Sequence, residues 1–182
     1  MIPEIKVLLV SAPMLFSNVN TDHILTTVSD TANMYVGEGF DAKMKDVDKI
    51  AEAIFFETRG TCNKDKYAVA EVILKRTELD GYPNDVEKVV NQYTWKDGKK
   101  ICQFSYMCEP SLKHKRKLYR KEPYEWELSR RAAFQAVFFG ATDYTNGADH
   151  YYAYKKVKPS WHKNSAVTAK TCAHLYLKLA KG

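Results

Sequence analysis

One acidic side chain stands where a proton donor could be made. The stretch VDKIAEAIFFETRG, residues 47–60, carries apolar residues at Val47, Ile50, Ala51, Ile54 and Phe55. That is the i, i+3, i+4, i+7 recurrence of a helix with one buried face. At about 100° per residue, Glu57 falls at the edge of this face, beside Ile50, while Glu52 points towards water. Gly60 suits the stop of such a helix. A carboxyl group in the last turn meets the negative end of the helix dipole and loses part of its water to Ile and Phe neighbours. Both effects disfavour the anion and raise the pKa. A glutamic acid kept protonated near neutral pH can serve as a general acid. The plain alternative is an amphipathic helix whose last-turn glutamate simply faces solvent.

The rest of the chain must position that group. Its 182 residues suffice for one domain with a hydrophobic core. A hydrophobic content of 45% and a charged content of 27% are those of a soluble globular chain, and no run has the length of a membrane span. The net charge of +6 favours an anionic partner, such as nucleic acid, a membrane surface or an acidic cell-envelope polymer. Twelve tyrosines and three tryptophans offer flat faces that suit sugar rings, bases or a core. The four cysteines, Cys62, Cys102, Cys108 and Cys172, form no CxxC pair, which argues against a zinc ribbon. They fit two disulfides in an oxidising compartment, with the pairing open, or buried thiols in a reducing one.

Residues 1–40 read as an N-terminal extension and residues 41–182 as the main domain. The opening MIPEIKVLLVSAPMLFSNV is apolar from Val7 to Phe16, but Glu4 beside Lys6, Pro13 and the lack of a small-x-small site weaken an export reading. An ordinary strand or helix is expected there, with a signal or signal-anchor segment as the alternative. Gly37-Glu38-Gly39 reads as a loop.

After the Glu57 helix, Asn63 or Thr61 is expected to cap a second helix running to Leu79, whose YAVAEVIL segment is apolar on nearly every side and so central. Tyr82-Pro83-Asn84 reads as a turn, with Asn84 capping a short helix in which Val86, Val89, Val90 and Tyr93 share a face. Asp97-Gly98 is a hairpin signal, and QFSYM is expected to continue its second strand. The basic run KHKRKLYRK follows, either a solvated loop or a track for a polyanion. A helix is expected from Pro123 to Phe139 with Leu128, Ala132, Ala136 and Phe139 on one side and Gly140 as its stop. In the strand ADHYYAY, Ala148, His150, Tyr152 and Tyr154 face one way and Asp149, Tyr151 and Ala153 the other. TCAHLYLKL alternates and could pair with it.

Taken in order, AIFFETRG, KYAVAEVILKR, YPNDVEKVV, QFSYMC, GADHYYA with a downstream Trp, and CAHLYL resemble the SleB-type cell wall hydrolases. That family includes spore-cortex-lytic enzymes and related phage and bacterial peptidoglycan hydrolases. The resemblance covers roughly residues 45–178, and six segments in order are more specific than any one alone. It implies an α+β fold: a single lysozyme/lytic-transglycosylase-like domain of several helices and a small antiparallel sheet. Lacking a recognisable repeat-type binding module, the chain is expected to be a bare catalytic domain, as in a small phage lysin. Thr58 stands where the family usually has alanine, QFSYMC replaces the commoner QFSW pattern, and HYYA replaces HYHA.

The resemblance implies that Glu57 is the catalytic acid in cleavage of the MurNAc–GlcNAc bond, acting on the bacterial cell wall. Hydrolysis needs a second carboxylate, for which Glu109 and Asp149 are the candidates. Each is as readily a surface or turn residue. A lytic transglycosylase needs one glutamate alone, as acid and then base, and is the preferred reading. Gln103 and Ser105, on one face of the expected strand, are candidate substrate contacts with Tyr106, Asp149, His150, Tyr151 and Trp161. Phe104 goes to the core, and His150 and Tyr151 are not both expected to reach the cleft. Arg59 is a candidate for peptide-stem carboxylates. No cofactor or metal is expected, and the expected state is a monomer bound to glycan strands. A zinc amidase built from His150, His174 and Cys172 is the competing enzyme. Two non-enzymatic alternatives are an envelope-binding or virion protein and a nucleic-acid binder resting on the basic run.

Overall fold

The computed structural model describes residues 38–109 and 117–179. The expected export segment and all but the end of the expected N-terminal extension therefore lie outside the described residues, as does the first part of the basic run.

The helix carrying Glu57, α1 (Glu38–Thr58), begins well before the stretch that first marks it. Phe40 and Met44 extend the apolar row of Val47 and Ala51 backwards at i, i+4, i+7, i+11 spacing, and Phe40 meets Phe138 with ring centroids 5.5 Å apart. The Gly37–Gly39 loop is thus corrected: Glu38 and Gly39 form the helix's first turn. Val47, Ile50, Ala51, Ile54 and Phe55 are all fully buried. Gly60, at φ +74°, takes the chain out of the helix.

The second helix, α2 (Asn63–Thr77), starts at Cys62 rather than at a Thr61 or Asn63 cap, and no side chain caps it. Cys62 is covalently held by Cys172, so a disulfide fixes the entry that a capping side chain would otherwise set. Ala68, Val69, Ala70, Val72 and Ile73 are buried, as are Asp65, Lys66, Glu71 and Arg76. Glu71 anchors the segment that follows Gly140 by accepting bonds from Thr142 Oγ1 (2.5 Å), Tyr144 N (3.0 Å) and Thr145 N (2.9 Å).

In α3 (Val86–Asn91) the cap is Asp85, whose carboxylate accepts from Lys88 N at 2.9 Å, not Asn84. Val86, Val89 and Val90 are buried, but Tyr93 has left the helix and opens a strand, 47% exposed. The hairpin pairs β1 (Tyr93–Lys96) with β2 (Lys99–Cys102) across Asp97 and Gly98, both at positive φ. The strand expected to run through QFSYM ends at Cys102. Residues Ser105–Cys108 coil into a 3-10 turn closed by the Cys102–Cys108 disulfide.

After the short α4 (Leu118–Lys121), α5 (Pro123–Phe139) has Pro at its first position and Gly140 at its end. Its buried side is Ser129, Ala132, Ala133 and Ala136, small residues that let α1 and α2 approach closely. Phe139 is 72% exposed, against expectation: it is the last residue of the helix, beyond the end of the buried row at Ala136. A three-stranded antiparallel sheet completes the α+β fold: β3 (His150–Ala153), β4 (Ser165–Lys170) and β5 (His174–Leu179), in the order β3-β5-β4. The expected pairing of the last two alternating segments is present, His150 opposite Leu177. Strand β4 is not foreshadowed in the sequence; its mixed exposure carries no period-two signal. Among the described residues no helix is long and apolar enough to cross a membrane.

Candidate active site

The end of α1, the 3-10 turn, the hairpin and the edge of β3 enclose an open cleft of about 910 Å³. Glu57 reaches it from the last turn of α1, half-buried. The Tyr151 hydroxyl and the Ser105 backbone N–H donate to its carboxylate, and the charges of His174 and Lys156 act on it. Burial is the largest influence and pushes the Glu57 carboxyl above its ordinary value; His174, Tyr151, Ser105 and Lys156 oppose it without cancelling it. Burial also raises the Tyr151 hydroxyl well above its ordinary range, with Glu57 adding to the effect and Arg76 opposing it. Tyr151 therefore stays a donor.

The last turn is sealed from below. Thr58, fully buried, returns its hydroxyl to Ile54 O at 2.7 Å. Thr58 O accepts from Thr61 N (3.0 Å), Thr61 Oγ1 (2.7 Å) and Lys66 Nζ (3.3 Å). A helix end with its carbonyl so occupied is fixed in direction, and with it the side chain of Glu57.

Gln103 and Ser105 both line the cleft, although not as strand residues. Gln103 N bonds Gln92 O at 2.9 Å, and the disulfide-closed turn that follows keeps both side chains out while Phe104 goes in. Tyr106 is a correction: it is 2% exposed, stacked on Phe56 with centroids 4.6 Å apart, and absent from the lining. His150 and Tyr151 both line the cleft, also against expectation, because it wraps around the end of β3. His150 lies 5.2 Å from Trp161, ring to ring, and both form part of the far wall. Burial lowers the His150 pKa, against the support of Asp149 and with Arg76 adding to the fall. The ring is therefore neutral at pH 7.

Asp149 is the second correction. Its carboxylate faces His150 Nδ1 at 2.9 Å, accepts from Leu179 N at 3.1 Å and does not line the cleft. It orients His150 and holds β5. Glu109 is exposed beyond the 3-10 turn and also off the lining. Arg59 lines the cleft, paired with Glu122 at 3.4 Å. The zinc set of His150, His174 and Cys172 does not stand, because Cys172 is bonded to Cys62 and offers no thiolate. Cys62, Asp65 and Cys172 also gather closely, and the same disulfide disqualifies them.

Sequence reasoning passes over Asp65, Arg76, Lys156 and His174 as site residues of a glycosidase. His174 draws notice as a metal candidate only. The signal that is present is its place in an alternating strand facing the core, where a histidine needs a partner.

A family model described as Cell Wall Hydrolase matches residues 60–177, a segment that begins just past Glu57. No curated protein matches the chain significantly. Among solved structures, the catalytic domain of the germination-specific lytic transglycosylase SleB from Bacillus anthracis is similar, at 21% identity and a TM-score of 0.51. The alignment covers 73% of this chain and 93% of that one. The catalytic domain of the Bacillus cereus SleB protein aligns at 20% identity and a TM-score of 0.49, over 74% of this chain and 91% of that one. At such identity the first likeness is one of fold.

Proposed function

This chain belongs to the cell wall hydrolase family, and we propose that it cleaves the MurNAc–GlcNAc bond of peptidoglycan as a lytic transglycosylase with Glu57 as acid and then base. The observation that carries this reading is that Glu57 is the one carboxylate among the described residues lining the cleft. Glu57 gives its proton to the glycosidic oxygen as the muramic C1–O bond breaks and positive charge gathers at C1. The carboxylate left behind keeps its bonds from Tyr151 and Ser105 N. It then takes the proton of the muramic C6 hydroxyl as that oxygen bonds to C1, which closes a 1,6-anhydro ring without consuming water. With Asp149 bound to His150 and Leu179 N, and Glu109 off the lining, neither candidate second carboxylate is placed to activate water.

The cleft is also cationic. Arg59, Arg76, Lys155 and Lys156 line it against the single acid, which suits a strand carrying the carboxylates of peptide stems. Trp161 supplies a flat wall for a sugar ring.

Purified sacculi digested with the wild type and with Glu57→Gln, and read by mass spectrometry, test the proposal. Anhydro-muropeptides from the wild type and none from the variant are expected, since the amide keeps the shape and loses the acid. Reducing ends would show water as the acceptor and overturn the transglycosylase route. Freed peptide stems would mark an amidase. Binding to sacculi without release of soluble products would mark a non-catalytic envelope protein.

A further inference from the structure

Behind Glu57 lies a second acidic group that the reaction above does not use. Asp65, on the first turn of α2, is 0% exposed. Its Oδ1 lies 3.2 Å from His174 Nδ1, and it accepts from the Thr171 hydroxyl. His174 is itself 3% exposed, yet its ring edge belongs to the cleft lining. It stands edge-on to Tyr151 with centroids 5.3 Å apart, and its charge acts on Glu57. Two residues that converge on the proton donor, Tyr151 and His174, are thus in contact with each other. A buried carboxylate fixes the second of them from behind.

We propose that Asp65 and His174 form a positioning pair for the proton donor. Asp65 fixes the imidazole, and the imidazole steadies Tyr151 and stabilises the carboxylate that Glu57 becomes on giving up its proton. The pair resembles in its logic any histidine held by a buried acid: the bond at Nδ1 sets the ring's orientation and leaves Nε2 for the site. The titratable and charged groups around it are Glu57 from α1, Asp65 from α2, Tyr151 from β3, Lys156 from the turn after β3 and Tyr176 from β5. Arg76 reaches it through Tyr151. Of these, His174 and Lys156 bring positive charge to Glu57, and His174 is the buried one. Burial pushes the Asp65 carboxyl up; the bonds from His174, Thr171 and Thr61 and the charge of His174 overcome it and keep the carboxyl below its ordinary value. The pair therefore enters the working pH range with Asp65 as an anion.

The inference rests on Glu57 being the proton donor, and its test has a readout that does not depend on turnover. The titration of the Glu57 carboxyl is followed in the full chain by carbon-13 NMR, the signal being assigned with Glu57→Gln, in the wild type, His174→Gln and Asp65→Asn. Loss of the imidazole, which acts to lower the Glu57 pKa, moves the Glu57 midpoint upward by on the order of one unit in His174→Gln, and by less in Asp65→Asn. The alkaline limb of kcat/KM follows in the same direction, and kcat falls about tenfold with KM little changed. Midpoint and limb unmoved in variants of wild-type circular dichroism would overturn the proposal and leave the pair a structural brace. Should His174→Gln not fold, Asp65→Asn, which keeps the size and the acceptor, decides between the same two outcomes. If Glu57→Gln digests sacculi normally, the functional reading falls, and the Glu57 titration still reads the pair.

Discussion

Lys66 Nζ lies 2.9 Å from Glu125 Oε2, and the same ammonium donates to Thr58 O, so one buried cation ties the last turn of α1 to the start of α5. The lysine is 1% exposed and its partner 25%. A positive charge at a helix C-terminus also meets the dipole favourably.

Lys66→Met leaves Glu125 without its partner and Thr58 O short of a donor. A fully buried pair broken on one side costs about 3–5 kcal/mol, and the partial solvation of Glu125 brings the expected loss to about 2–3 kcal/mol. Urea denaturation measures it. The double variant Lys66→Met/Glu125→Leu should recover part of the loss, because no unpaired charge remains. A double variant less stable than the single one would show that the ion pair is not what matters there.

Glu57 is expected to weaken the fold it serves. Its carboxyl is raised above the ordinary value of 4.5, so its favourable contribution is complete below that value and is lost as pH rises through the folded-state pKa. Glu57→Gln removes the ionisation. It should melt higher than the wild type at neutral pH, and the gap should close as pH falls to 4.5. Thermal melts across that range check the sign.

The two disulfides differ in reach. Cys62–Cys172 spans 110 residues and Cys102–Cys108 spans 6. Chain-entropy reasoning gives about 4.8 kcal/mol for the first and about 2 kcal/mol for the second. Removing Cys62–Cys172 also frees the start of α2 from the turn before β5, and so loosens Asp65 and His174 together. Paired Cys→Ala variants should show activity on sacculi falling with the first bond more than in proportion to stability. Equal effects from both bonds would contradict this.

Lys155 and Lys156, both exposed on the cleft wall, are expected to act on the substrate through charge. Lys155→Ala/Lys156→Ala should raise KM for sacculi about three- to tenfold at low salt, with kcat less affected and the difference shrinking as salt screens the field. Loss of Lys156 also removes a charge that lowers the Glu57 pKa, so a small alkaline shift of the rate profile should accompany it. Steady-state kinetics at two ionic strengths separate the two effects.

The parts legible in the sequence are those carried by short-range pattern. The apolar rows of α1 and α2, the Asp97-Gly98 turn and the Pro123-to-Gly140 helix all announce themselves within a few residues, as does Glu57 at its helix end. What the sequence hides depends on groups distant in the chain or on a covalent closure. Alternation around Tyr106 reads as strand, where a disulfide between Cys102 and Cys108 forces a turn. Asp149 looks like a spare acid until its bonds to His150 and to Leu179 N, 30 residues away, are known. Asp65 and His174 lie 109 residues apart, and nothing local in either segment points to the other.

Strand β5 comes last among the described strands and lies between the other two. During synthesis the helices, rich in near-neighbour contacts, can pack while the ribosome is still at work, but β3 has no partner until residues 174–179 have emerged. Tyr151 sits on β3 and His174 on β5. A chain stopped before residue 174 would then carry Glu57 on its helix with Tyr151 on an unpaired strand and His174 missing, so the wall of the cleft that these two residues build forms only once β5 has been made.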